Sequence, residues 1–95
     1  MKPRTAQLID KVGLHRLYRF WVFGKSGSFI RASRVLGINK PVVRDAVVSL
    51  ERDLGVSLYT RHGNQCVLTE KGRQLRDDLT PFMIQIGGIL AKLAD

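Results

Sequence analysis

Residues Ser26 to Leu54 read S-G-S-F-I-R-A-S-R-V-L-G-I-N-K-P-V-V-R-D-A-V-V-S-L-E-R-D-L. The stretch divides at Gly37-Ile38-Asn39 into two helical patterns. In the first, Phe29, Ala32 and Leu36 recur at helical spacing and mark a buried face. Ser28 stands where its hydroxyl would accept an orphan N–H of the first turn. Gly37 can take the left-handed conformation that closes a helix. In the second pattern Asn39 is placed as N-cap. Pro41 falls in the first turn, where a missing N–H costs little. Val43, Val47, Leu50 and Leu54 form an apolar stripe, and Lys40, Arg44, Asp45, Val48 and Arg52 lie off it. A short helix, a tight glycine turn and a second helix with a polar outer face make a helix-turn-helix. The second helix is the one expected to enter a major groove of double-stranded DNA.

Downstream, Gly55 stops this helix and Val56-Ser57-Leu58-Tyr59-Thr60-Arg61 alternates apolar and polar residues, a strand signal. His62-Gly63-Asn64-Gln65 is turn chemistry, and Cys66-Val67-Leu68 returns as a second short strand. The pair predicts a hairpin wing. Arg61 and His62 near its tip are placed to touch phosphate or the minor groove, or else are merely solvated. Cys66, the single cysteine, reads as a small apolar strand residue and offers no intramolecular disulfide or multi-cysteine zinc site.

Upstream, Leu14, Leu17, Tyr18, Trp21 and Val22 repeat at helical spacing over residues 14–25, with Phe20 and Phe23 on the shoulders of that face. The helical period makes these aromatics core rather than base-stacking residues. Residues 1–13 read as an N-terminal extension. Leu8, Ile9 and Val12 would face one side of a short helix ending at Gly13; the alternative is a loose basic arm carrying Lys2, Arg4 and Lys11.

Thr69 is placed to N-cap the last helical region, with Glu70 favourable to its dipole. Leu75, Leu79, Phe82, Met83, Ile86, Ile89, Leu90 and Leu93 follow at mixed three- and four-residue spacing. Pro81 interrupts and predicts a kink or break, with Thr80-Pro81 able to start a fresh helix. Gly87-Gly88 weakens the segment or admits another helix closely. The apolar content beyond Phe82 exceeds what a domain of 95 residues needs for its own core. Leu79, Phe82, Met83, Ile86, Ile89, Leu90 and Leu93 are therefore the expected dimerisation residues.

The formal net charge is +8, and it is unevenly placed: residues 1–73 hold 14 Lys/Arg against 5 Asp/Glu. A basic body with a near-neutral apolar tail fits a polyanion-binding domain joined to a packing element, although a basic surface made for solubility has the same composition. No run approaches the roughly 18 apolar residues of a membrane span. The N-terminus has no apolar signal-peptide region. No Gly-rich phosphate loop, Cys/His cluster or acid–base pair suggests catalysis, a metal or a cofactor. A non-enzymatic, cytoplasmic, nucleoid-associated protein is expected.

Taken together, G-S-F-I-R-A-S-R-V-L-G-I-N-K-P-V-V-R-D-A-V-V-S-L-E-R-D-L-G-V-S-L-Y-T-R and the later V-L-T-E-K-G resemble the N-terminal winged helix-turn-helix domain of LysR-type transcriptional regulators. The resemblance rests on Gly27-Ser28-Phe29, Ala32, Leu36, Pro41, Leu50-Glu51, Leu54-Gly55, Leu58-Tyr59-x-Arg61 and Leu68-Thr69-x-x-Gly72, and covers roughly Leu14 to Phe82. It implies a mainly α fold with a two-stranded β wing. Residues 14–68 would be the DNA-binding domain, and residues 69–95 a segment resembling the family's linker helix, which pairs in a dimer. Family members continue into an effector domain that this sequence does not show, so no small-molecule effector is expected within it. The family's recognition helix typically opens Ser-Gln-Pro-Ala-x-Ser-Arg; here Asn39, Lys40, Pro41, Val42, Val43, Arg44 and Asp45 stand at those positions. The usual base- and phosphate-contacting pair has thus become Arg44-Asp45. Arg44 can reach a guanine edge or a phosphate. Asp45 can accept from a cytosine amino group, repel phosphate, or orient Arg44 or Arg31.

The expected function is a homodimeric, sequence-specific DNA-binding regulator, most simply a small repressor. Lys40, Arg44 and Arg52 would face the DNA, with Pro41, Asp45 and Val48 on the same helix. Asn39 and Ser28 would supply helix-terminal phosphate contacts. Arg31, Arg34, Arg61 and His62 would add backbone contacts. Two other readings are an antagonist that forms heterodimers with full-length LysR-type proteins, and an architectural DNA-binding protein of low specificity.

Overall fold

The computed structural model describes residues 3–94. Five helices and one hairpin follow in order: α1 (Arg4–Val12), α2 (Leu14–Ser26), α3 (Phe29–Leu36), α4 (Lys40–Leu54), β1 (Tyr59–His62), β2 (Gln65–Leu68) and α5 (Glu70–Ala94). Residues 4–12 form the short helix rather than a loose arm, and Lys2 lies outside the described residues.

The core is built where α2, α3 and α4 converge. Phe20, Phe23, Ala32, Val43, Val47 and Leu50 are buried, and Leu58 closes the core from the loop before the wing. Phe23 stacks on Phe29 with ring centroids 4.1 Å apart, and Tyr59 meets both rings edge-on. Offset-stacked and edge-on arrangements are those that aromatic quadrupoles favour. Ser28 caps α3 as expected, its hydroxyl accepting the Arg31 N–H at 3.1 Å. Gly37 then turns the chain at φ +67, a conformation that costs a side-chain-bearing residue more. Asn39 occupies the N-cap position of α4 but makes no side-chain cap; its carbonyl accepts from Val42, and the carboxamide stays exposed.

The face of α2 differs from the expectation. Phe20, Val22 and Phe23 are buried, whereas Leu14 and Tyr18 are exposed and Leu17 and Trp21 are only partly covered. α2 carries apolar residues on more than one side, and periodicity cannot rank two apolar sides. The side turned to α3 and α4 wins because three elements close over it.

The antiparallel hairpin pairs Tyr59 with Leu68 and His62 with Gln65 around the two-residue loop Gly63–Asn64. Two contacts fasten its root. The Glu51 carboxylate accepts the Leu58 N–H at 2.8 Å, and the Thr69 hydroxyl donates to the Ser57 carbonyl at 2.6 Å. The same Thr69 oxygen caps α5 by accepting from the Gly72 N–H. Gly72 has no room for a side chain: an added Cβ would lie 2.1 Å from the Leu58 carbonyl oxygen.

α5 does not break at Pro81 but runs unbroken from Glu70 to Ala94. Proline's fixed φ suits a helix, and the cost is a hydrogen bond that the Asp77 carbonyl does not receive and the crowding of that carbonyl by the ring. Asp77 and Pro81 are both exposed, so water can serve that carbonyl. On the inner side the Trp21 indole donates to the Thr80 hydroxyl at 2.9 Å, which in turn donates to the Arg76 carbonyl. Thr80 is thus tied to the body rather than starting a new helix. None of the helices among the described residues is long and apolar enough to cross a membrane.

Candidate nucleic-acid interface

With Val43, Ala46, Val47 and Leu50 buried, the opposite side of α4 is dictated by geometry. Pro41, Asp45, Val48 and Arg52 recur at four, three and four residues and share one exposed stripe, with Arg44 beside it and Lys40 at its start. Val48 is 42% exposed in the middle of this polar stripe. An outward apolar side chain there can meet a thymine methyl group, as polar neighbours meet base edges.

The acidic residues around the stripe have separate roles. Asp53 receives Arg16 at 2.7 Å, and Arg16 also donates to Ser49 and to the Lys11 carbonyl, so this pair binds α1, α2 and α4 together. Arg52 approaches Asp53 only to 3.9 Å, and its side chain remains largely exposed. Asp45 is exposed and forms no ion pair with Arg44 or Arg31 among the described residues. Arg44 and Asp45, one apart on the helix, diverge by about 100°.

The wing separates two residues that sequence placed together. Strand alternation sends Arg61 and His62 to opposite faces. His62 Nε2 lies 3.1 Å from the Thr60 hydroxyl, on the side away from Arg61. Arg61 instead lines a cleft of about 350 Å³ with Ser28, Arg31, Lys40, Asn64 and Gln65. Arg34 stays exposed on α3, away from that cleft. The sequence marks Asn64 and Gln65 only as turn residues. Register places Cys66 beside Arg61 on the cleft side, while Asn64 and Gln65 reach the cleft's rim at the end of the hairpin.

Tyr59 lies between the core and this surface. Burial lifts its phenol above the ordinary 10.0; the Glu51 carboxylate and Cys66 add to the shift, while Arg44 and Arg61 oppose it. The hydroxyl therefore remains a neutral donor at physiological pH.

The expected dimerisation residues divide. Met83 is buried within its own chain and Leu79 packs on the core. Phe82, Ile89, Leu90 and Leu93 are exposed, and Ile86 is partly so. Ile86 and Leu90 join Leu14, Tyr18, Met83 and Gly87 around an apolar groove of about 390 Å³ between α2 and α5. Ile84, also exposed, was not among the expected residues because it falls on the other side of α5.

Two helices leading into a helix-turn-helix, a hairpin wing and a long following helix define the winged helix-turn-helix class. Residues 14–73 match the family model of bacterial regulatory helix-turn-helix proteins of the lysR family. The chain belongs to that family, as the resemblance implied, and carries the DNA-binding helix-turn-helix of a LysR-type transcriptional regulator. It is 29% identical over 87 residues to the HTH-type transcriptional regulator PtxR of Pseudomonas aeruginosa, covering 92% of this chain and 28% of that protein. Its fold is similar to that of full-length AphB, the Vibrio cholerae virulence activator (TM-score 0.81, 24% identity, 87% of this chain and 29% of AphB). It is also similar to the BenM DBD in its complex with catB site 1 DNA (TM-score 0.76, 21% identity, 86% of this chain and 91% of that one). The chain thus spans between a quarter and a third of the length of PtxR.

Proposed function

We propose that this chain binds double-stranded DNA sequence-specifically as a homodimer and regulates transcription, most simply as a repressor whose occupancy blocks a promoter. The observation that carries the reading is the exposed stripe of α4 through Val48, with Arg44 exposed beside it, on a helix whose other side is locked into the core. The fold shared with the DNA-bound BenM DBD supports the same orientation. Arg44 reads a base edge; Lys40, Arg52, Arg31, Arg34 and Arg61 contact backbone, with Ser28, Asn39 and His62 nearby. Dimerisation uses Phe82, Ile86, Ile89 and Leu93, whose four-three-four spacing gives α5 an outward apolar seam. Half-sites would lie about one helical turn (about 10 bp) or a multiple apart.

Selection of bound fragments from a genomic library, at low and near-physiological salt, tests this. A palindromic motif that survives higher salt is expected, and Arg44→Ala should weaken that site by about 1–3 kcal/mol. Binding that collapses with salt and shows no motif would instead mark an architectural protein. Asp45, exposed in the stripe without an ion pair among the described residues, favours a second reading: an antagonist that pairs through α5 with longer family members. The absence of binding at either salt would select it.

A further inference from the structure

The cleft of about 350 Å³ between α3, the first residue of α4 and the wing collects positive charge from three separate elements. Arg31 comes from α3, Lys40 from α4 and Arg61 from β1. All three are exposed, none enters an ion pair among the described residues, and no carboxylate lines the cleft. Elsewhere the same structure does pair its cations where a carboxylate is near, as at Arg16–Asp53 and Arg76–Asp77. Three like charges converging without a counter-charge repel one another, and an anion in the cleft removes that repulsion.

The remaining polar groups point to the kind of anion. Asn64 of the hairpin loop lines the cleft, and the Ser28 hydroxyl, although its oxygen already accepts from Arg31, keeps its hydrogen to donate. Two guanidinium forks, an ammonium and neutral donors around one open cleft suit an oxyanion with several acceptor oxygens. They do not suit a metal cation or an apolar ligand.

We propose that this cleft seats a single phosphate group, that of one DNA phosphodiester, held jointly by Arg31, Lys40 and Arg61. This rests on the DNA-binding reading above and deepens it: the wing and the helix-turn-helix close on the same phosphate rather than on separate ones. That phosphate then sets the register of α4 in the groove, because Lys40 is both a clamp residue and the first residue of the reading helix. Inorganic phosphate, which offers the same oxygens, is a weak competitor for the site.

The test scans the selected duplex with neutral methylphosphonate linkages, one position at a time. Binding is compared for the full chain and for Arg31→Ala, Lys40→Ala and Arg61→Ala, each checked for folding by circular dichroism. On unmodified DNA each variant should bind roughly tenfold more weakly, the worth of one charge-assisted contact, and lower the salt slope by about one. At one linkage per half-site, neutralisation should weaken the parent and abolish the difference between it and all three variants. Three different linkages, each silencing a different variant, would overturn the shared clamp, as would the absence of any such linkage. If no duplex is bound, the DNA-binding reading fails, and the cleft is judged by inorganic phosphate against chloride at equal ionic strength. Phosphate-specific shifts of the Arg31, Asn64 and Gln65 backbone amides that disappear in Arg61→Ala would retain the oxyanion site; no such shifts would refute it.

Discussion

Helix α4 and the distal part of α5, from Met83 onward, are both rich in apolar residues but place them differently. In α4, Val43, Val47 and Leu50 are completely buried. In α5, Met83 is the last residue to be buried, and Ile89, Leu90 and Leu93 follow in the open, Leu93 at 81% exposure. The difference is one of surroundings. α4 is enclosed by α2, α3 and α1, whereas beyond Met83 α5 shares only an open groove with α2 and leaves its other side exposed. The body of the domain packs within one chain, and the exposed apolar surplus on α5 is the surface we propose for dimerisation.

The largest effect should come from breaking the complete half. Phe23→Ala removes the ring at the centre of the aromatic stack and should cost about 3–5 kcal/mol in urea unfolding. Ile89→Ser is its counterpart. It should change monomer stability by less than about 0.5 kcal/mol, while shifting sedimentation towards the monomer. A comparable loss in both variants would show that the distal α5 packs on its own body after all.

A smaller effect is expected at the join between the two regions. Gly72→Ala drives a methyl group into the Leu58 carbonyl and should cost about 1–3 kcal/mol by thermal unfolding. Wild-type stability would mean that the wing root yields to α5.

The smallest effect is a pH dependence. The folded state raises the Tyr59 phenol above 10.0, so its protonated form is the one the fold favours. That contribution is intact below the unfolded value and is lost as pH climbs through the higher folded one. Tyr59→Phe should therefore lose less stability than the parent between about pH 9 and about pH 11, read from urea midpoints. Parallel losses would show that the phenol does not feel the core.

Much of this was legible because it is local. Ser28, Gly37, Val43, Val47 and Leu50 act through neighbours within a turn or two, and periodicity reports such neighbours. The hairpin and its loop were legible for the same reason. What was hidden depends on distant partners. Leu14 and Tyr18 look as buried as Phe20 and Phe23 until the other helices choose a side. Pro81 predicts a kink or a break, and the tie from Thr80 to Trp21, 59 residues away, is not visible in the spacing. Arg61 and His62 look equivalent until the register sends one of them towards Arg31 and Lys40. The convergence of those three cations cannot be read from spacing, because they are brought together by a turn and a hairpin.

The wing root also has a mechanical meaning. One residue, Thr69, separates β2 from α5, and it is bonded to both sides, while Gly72 sits hard against the strand approach at Leu58. With no slack between them, hairpin and helix behave as the two arms of a bell crank. On this geometry a load at the hairpin tip would be delivered as torque to a helix of 25 residues, and a twist of that helix would return as displacement at the tip.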